Sequence, residues 1–236
     1  MQTEMIHYDP SCDRKRWVAY FDLLGTTALI RANRIAEVFT AYAQAIEHVT
    51  RELHQDNTVR HAWFSDTFLM YSTDDSASDF VVMDLVARWF VQHLVTRKIP
   101  VRGAISSDNF YADFNHGLFL GKALVEAYEY GEVQNWIGFI LCPSAINRLN
   151  EVGLPAGERL NYAYANIPVK TEPPVKKNPS NFVFNLPACI LGRWSTINGE
   201  NLCLSALREM KSMSTVDSIT QKYDNSIQFI ESNRRE

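Results

Sequence analysis

The chain has 236 residues, 46% hydrophobic and 21% charged, which is ordinary globular composition and excludes wholesale disorder, a collagen-like repeat and a pure coiled coil. That length suits one domain of about 150 residues with additions. A net charge of −4 provides no global basic field for a nucleic-acid backbone, so a polyanionic ligand needs a local site. Cys12, Cys142, Cys189 and Cys203 form no CxxC pair and read as reduced thiols rather than zinc ligands. No signal-peptide core and no apolar run of about 18 residues is present, which points to a cytoplasmic protein without a membrane partner.

In chain order, the apolar run 17–24 reads as a strand, Gly25-Thr26-Thr27 as a turn, and the following segment as one amphipathic helix carrying Leu29, Ile30, Val38, Phe39, Tyr42, Ile46 and Val49. Residues 59–71 read as a hairpin turning at Ser65-Asp66-Thr67. A Ser/Asp cluster then caps a helix over 80–95 that is apolar nearly all round. Pro100 ends that helix, and 101–106 is the next strand.

The order β-α-β-β-α-β predicts an α+β, ferredoxin-like fold, a four-stranded antiparallel sheet with two helices on one face. Further along, 121–132 reads as a helix, 136–141 as a strand and 143–150 as a short helix. A proline-rich loop follows, with Lys176-Lys177 and one strand at 181–184. The segment from 201 onward reads as mostly helical. The expected organisation is an N-terminal extension over 1–15, a catalytic core over 16–150, and C-terminal loop, strand and helices over 151–236 packed on the same domain.

Two aspartates interrupt apolar text. Asp22 closes the first strand and Asp66 sits in the hairpin turn, 44 residues later. Either alone is commonly a capping or turn residue. In a ferredoxin-like sheet, however, the first strand and the hairpin are neighbours, so both carboxylates reach the same end of adjacent strands. Paired carboxylates suit hard divalent cations, and such cations suit a phosphate substrate. The turn Gly25-Thr26-Thr27 adds backbone N–H groups that can cradle anionic oxygens.

Phe21-Asp22-Leu23-Leu24-Gly25-Thr26-Thr27 resembles the first metal-binding segment of class III nucleotidyl cyclases, and Phe64-Ser65-Asp66-Thr67 resembles their second metal-bearing hairpin. Val101-Arg102-Gly103-Ala104-Ile105 is similar to the family's arginine-containing strand. The resemblance covers residues 16–150. It implies two Mg²⁺ or Mn²⁺ ions per site on Asp22, Asp66 and the Leu23 carbonyl, with Asp22 and Asp66 catalytic. It also implies a nucleoside triphosphate substrate bound by Gly25, Thr26, Thr27, Arg102 and Asn135, and a head-to-tail homodimer with the sites at its interface.

Ala62 stands where adenylate cyclases carry a purine-reading lysine, and Asn135, in Asn135-Trp136-Ile137-Gly138, where they carry a base-reading aspartate. Asn147 and Arg148 are out of register with the transition-state pair, which would fall at Cys142 and Ile146. Leu120-Gly121-Lys122-Ala123 and Ala127-Tyr128-Glu129 resemble the bacterial pyrimidine cyclases of Pycsar anti-phage defence. That resemblance implies cyclic UMP, favoured over cyclic CMP, as a second messenger, with the effector protein reached through the cyclic nucleotide. The competing readings are a purine cyclase, a noncatalytic nucleotide-sensing dimerisation module of the same fold, and a polymerase-like palm. Low charge and the absence of basic tracks oppose the last.

Overall fold

The structure is a computed structural model and describes residues 7–31, 33–52, 58–159, 161–170, 183–193, 196–197 and 200–233. The first strand, β1 (Asp13–Leu23), leads into the short helix α1 (Thr26–Arg31) and then α2 (Ile35–Glu52). A hairpin of β2 (Val59–Phe64) and β3 (Thr67–Ser72) precedes α3 (Ala77–Thr96) and the long β4 (Val101–Asp113). Next come β5 (Leu118–Leu120), α4 (Lys122–Val133), β6 (Gly138–Leu141) and α5 (Pro143–Glu151). The chain continues through β7 (Tyr162–Pro168), β8 (Val183–Cys189), α6 (Leu202–Met213) and α7 (Asp217–Ser232).

The sheet runs β2-β3-β1-β4-β6-β8-β7, with β5 paired to β4 off this path. Most pairs are antiparallel, while β4 and β6 are parallel. The α+β class stands, on a sheet wider than four strands. β1 lies between β3 and β4, and its middle, 17–21, is apolar on both faces because both faces are covered there. Trp17, Ala19, Phe21 and Leu23 join the main core with residues of α2, α3, α6 and α7, whereas Val18 packs with Tyr71, Phe110 and Ala123 on the other side. This second face corrects the expectation of helices on one face only. α4 approaches closely there because it presents Ala123, Ala127 and Gly131 to the sheet.

The single helix expected after the turn is two helices. Asn33 takes a left-handed conformation, φ 56°, which asparagine tolerates better than most residues. Buried Val38 and Tyr42 face the core as expected, while Phe39 is exposed. The helix α3 is capped by the Ser76 hydroxyl, which accepts from Asp79 N, and Phe90, Val91, Leu94 and Val95 are buried within the chain itself. The sequence reading missed β7. Of the expected strand at 181–184, residues 183 and 184 open β8, which runs on to Cys189, while 181, 182, Lys176 and Lys177 lie outside the described residues. No helix among the described residues is long and apolar enough to cross a membrane.

Gly103 is required by close approach. A Cβ there would meet the Tyr20 carbonyl oxygen at 2.3 Å and Phe21 Cδ1 at 2.4 Å, in the adjoining strand. Gly103→Ala is expected to lose about 1–3 kcal/mol of stability through overpacking, read from the urea midpoint at unchanged slope.

Candidate active site

β1 brings Asp22 between two partners, Thr67 of β3 and Arg102 of β4. One residue on, Leu23 N donates to the Asp66 carbonyl at 3.0 Å, so the hairpin turn is pinned to the end of β1. The turn holds Ser65 at φ 58°, a conformation that suits a two-residue hairpin. Trp63 Nε1 braces it by donating to Ser65 O at 2.6 Å. Tyr42 of α2 lies edge-on to Trp63, with ring centroids 4.3 Å apart. Its hydroxyl is pushed up to about 12, first by burial and further by the charges of Asp66 and Asp22. The phenol therefore feels both carboxylates.

The Asp22 carboxylate is held in a buried ion-pair cluster. Arg102 Nε donates to Asp22 Oδ2 at 2.8 Å, and its Nη2 lies 2.6 Å from the same oxygen and 2.8 Å from Glu132 Oε2. Nη1 donates to the Gln134 carbonyl at 3.1 Å. The arginine side chain is 4% exposed and that of Asp22 13%. Burial raises the Asp22 pKa, opposed by the Arg102 charge and reinforced by Glu132. The Tyr20 hydroxyl donates to Glu132 Oε1 at 3.0 Å.

Sequence reasoning missed Glu132. Its one signal is position, since an acid in the last turn of α4 opposes the helix dipole and needs a cation such as Arg102. Two lysines complete the surroundings. Lys170 Nζ lies 3.9 Å from Glu132 Oε2, and burial followed by the Arg102 charge lowers the pKa of Lys170 and of Lys222 on α7.

Gly25 takes φ 80°, which glycine adopts without strain, and Thr26 Oγ1 donates to the Leu23 carbonyl at 2.7 Å. The helix that follows spans only six residues, so the turn's own N–H groups are what it can offer an anion. The side chain of Thr27 is outside the described residues.

Asn135 lies on the Arg102 side of the cluster, next to Gln134. Its N–H donates to Pro168 O at 2.7 Å, and its carbonyl accepts from Asn225 Nδ2 of α7 at 2.7 Å. Ser226 Oγ accepts from Ile137 N at 2.7 Å, and the buried Gln134 side chain donates to the carbonyls of Gly103 and Tyr130, each at 2.8 Å. The segment is thus clamped between β4 and α7. Arg148 lies elsewhere, bound to Asp75 and Glu151. His61 on β2 stacks on Phe68 at 5.6 Å, and burial lowers its pKa.

Asp22, Asp66 and the Leu23 carbonyl lie at one strand end, and all three are oxygen donors, the type that Mg²⁺ and Mn²⁺ take. Both contacts of Arg102 with Asp22 go to Oδ2, and the Leu23 carbonyl has a second lone pair beyond the one Thr26 occupies. The donor chemistry fits, although no cluster of three His, Cys, Asp or Glu residues able to hold a metal occurs among the described residues.

No family model matches the chain, and no curated protein matches it. Solved structures do. The adenylyl cyclase CyaB from P. aeruginosa is 11% identical, with 75% of this chain and 94% of that one covered at a TM-score of 0.53. The catalytic core of a rhodopsin-guanylyl cyclase with converted specificity, in complex with ATPalphaS, is 9% identical, with 75% and 96% covered at 0.53. The guanylate cyclase domain of RhGC from Catenaria anguillulae in complex with GTP is 12% identical, with 75% and 97% covered at 0.50. Likeness at such identities is likeness of architecture, and in that sense this chain has the fold of class III cyclase catalytic domains.

Proposed function

We propose that the protein is a metal-dependent nucleotidyl cyclase that converts a pyrimidine ribonucleoside triphosphate, UTP in preference to CTP, to its 3',5'-cyclic monophosphate and pyrophosphate. The observation that carries the reading is the pinning of the Asp66 turn to the strand end that bears Asp22, within a cyclase fold. Asp22, Asp66 and the Leu23 carbonyl would hold two Mg²⁺ or Mn²⁺ ions. Such ions lower the pKa of an attacking 3'-hydroxyl and neutralise charge on a leaving pyrophosphate.

The chain's own residues supply position and charge. The Gly25-Thr26-Thr27 turn offers N–H groups to phosphate oxygens, and Arg102 fixes the orientation of Asp22. Asn135 is the proposed base-reading group, on a segment fixed at both ends. The pyrimidine preference rests on Ala62, a half-buried β2 residue opposite Leu69, which offers no donor to a purine. In this reading the product is a second messenger in anti-phage defence.

Purified protein with manganese and each of UTP, CTP, ATP and GTP tests the proposal. Cyclic UMP or cyclic CMP as the main product is the expected result. Cyclic AMP or cyclic GMP instead would reject the base preference, and no cyclic product from any of the four would reject the activity. The Asp22–Arg102 ion pair favours one competitor, a nucleotide-sensing module without turnover, because it commits a carboxylate internally. That competitor requires nucleotide binding, no product, and indifference to Asp66→Asn.

A homodimer with sites at its interface belongs to the same proposal. Phe64, 83% exposed, adjoins the Asp66 turn, and exposed Leu120, Val125 and Tyr128 lie on β5 and α4. Burying such apolar side chains is what a head-to-tail contact would do. Phe64→Ser is expected to weaken dimerisation at least about tenfold, given about 1.5–3 kcal/mol per buried apolar side chain, measured by analytical ultracentrifugation.

A further inference from the structure

At the end of β1 remote from Asp22, three arginines gather with no counter-ion among the described residues. Arg14 and Arg16 alternate along β1 and so share the face that carries Asp22. Arg60 of β2 pairs with Tyr71 of β3, which pairs with Val18 of β1, and this places Arg60 on the same face two strands away. With Ser11, Ser72 and Thr73 they line a cavity of about 210 Å³.

Arg16 is 9% exposed. Its Nη1 donates to the Ser72 carbonyl at 2.9 Å, and its guanidinium carbon lies 5.6 Å from the centre of the Tyr71 ring. Its Nε has no partner among the described residues, nor has the buried Tyr71 hydroxyl. Burial, then Arg14 and Arg60, push the Arg16 pKa down, as expected of crowded cations.

The nearby acids are engaged elsewhere. Asp108, across from Arg16 on β4, accepts from Asn109 N at 2.7 Å. Asp9 accepts from Ser11 N at 2.9 Å, and Asp13 from the Tyr8 hydroxyl at 2.9 Å. Among the described residues no ion pair involves Arg14, Arg16 or Arg60.

A buried guanidinium crowded by like charge and left without an ion-pair partner is costly unless an anion completes it. Guanidinium forks match tetrahedral oxyanions, and a cavity of this size is below the roughly 300 Å³ at which sites for whole small molecules begin. We infer that this cavity binds a phosphate group, either as inorganic phosphate or as the terminal group of a phosphomonoester whose remainder stays in solvent. Six residues of extended strand separate it from Asp22, about 20 Å, so it is a second site and does not depend on the cyclase reading.

The test is backbone amide NMR of the full chain in EDTA, titrated with sodium phosphate, with phenyl phosphate, and with sodium chloride at matched ionic strength. Saturable shifts at Ser11, Ser72 and Thr73 with either phosphate, absent with chloride, are the expected result. The tighter ligand identifies the source, free phosphate or an ester. Arg60→Gln and Arg14→Gln, both at exposed positions that should fold normally, are each expected to weaken binding about tenfold, the loss of one charge-assisted hydrogen bond. Shifts that do not saturate, that chloride reproduces, that both variants retain, or that fall only on Gly25 and Asp66 would overturn the inference.

Discussion

Asp66→Asn is expected to reduce cyclic nucleotide formation by more than about 100-fold while leaving the protein folded. The hairpin is anchored through the Asp66 main chain, whose carbonyl accepts from Leu23 N, and the side chain is only half-buried. Asparagine also supports turn conformations, so stability should stay within about 0.5 kcal/mol of the parent. What the substitution removes is one anionic donor. Changing even the groups that orient a metal ligand costs roughly 10–100-fold, and loss of the ligand itself should exceed that. The readout is product formed per minute at saturating manganese, with thermal melting as the control for folding. Activity within tenfold of the parent would mean that Asp66 holds no catalytic ion.

Arg102→Met should act on the fold first. The arginine joins Asp22, Glu132 and the Gln134 carbonyl, and methionine of similar length would leave two partly buried carboxylates facing each other. Breaking a buried pair by removing one partner costs about 3–5 kcal/mol. Glu132 retains Lys170 at 3.9 Å, so the lower end, about 3 kcal/mol, is the expectation from urea unfolding at pH 7. Mutual repulsion should also raise the Asp22 pKa further. The double variant Arg102→Met/Glu132→Gln is expected to recover part of the loss, because one of the facing charges is gone. No recovery would mean that the arginine acts through packing alone.

Much of the fold was legible because apolar runs with clear punctuation have few readings. The β1 run ends at Gly25, the β2–β3 hairpin turns on two polar residues, and Pro100 precedes β4. Asp22 and Asp66 stood out because carboxylates in such surroundings are uncommon. Less legible was everything that depends on register and on the covering of faces. The sheet-facing side of α4 is alanine and glycine, which carries little periodic signal, so its place on the second face was not visible. β7 escaped notice because its Tyr and Ala alternation is weakly apolar and ends at a proline.

The Asp22–Arg102 pairing follows from cross-strand alignment between segments 80 residues apart, which text alone does not supply. Glu132 depended on that same alignment. Between α1 and α2 stands Asn33, whose left-handed conformation no apolar spacing announces.

The last helix does more than cover apolar surface. Asn225 and Ser226 satisfy main-chain groups of Asn135 and Ile137, and Lys222 adds charge near Arg102. Shortening the chain before α7, as one would trim a dispensable tail, would strip partners from the strip of backbone that bears Asn135. A truncated protein of that kind is a poor stand-in for the whole, however well its sheet survives.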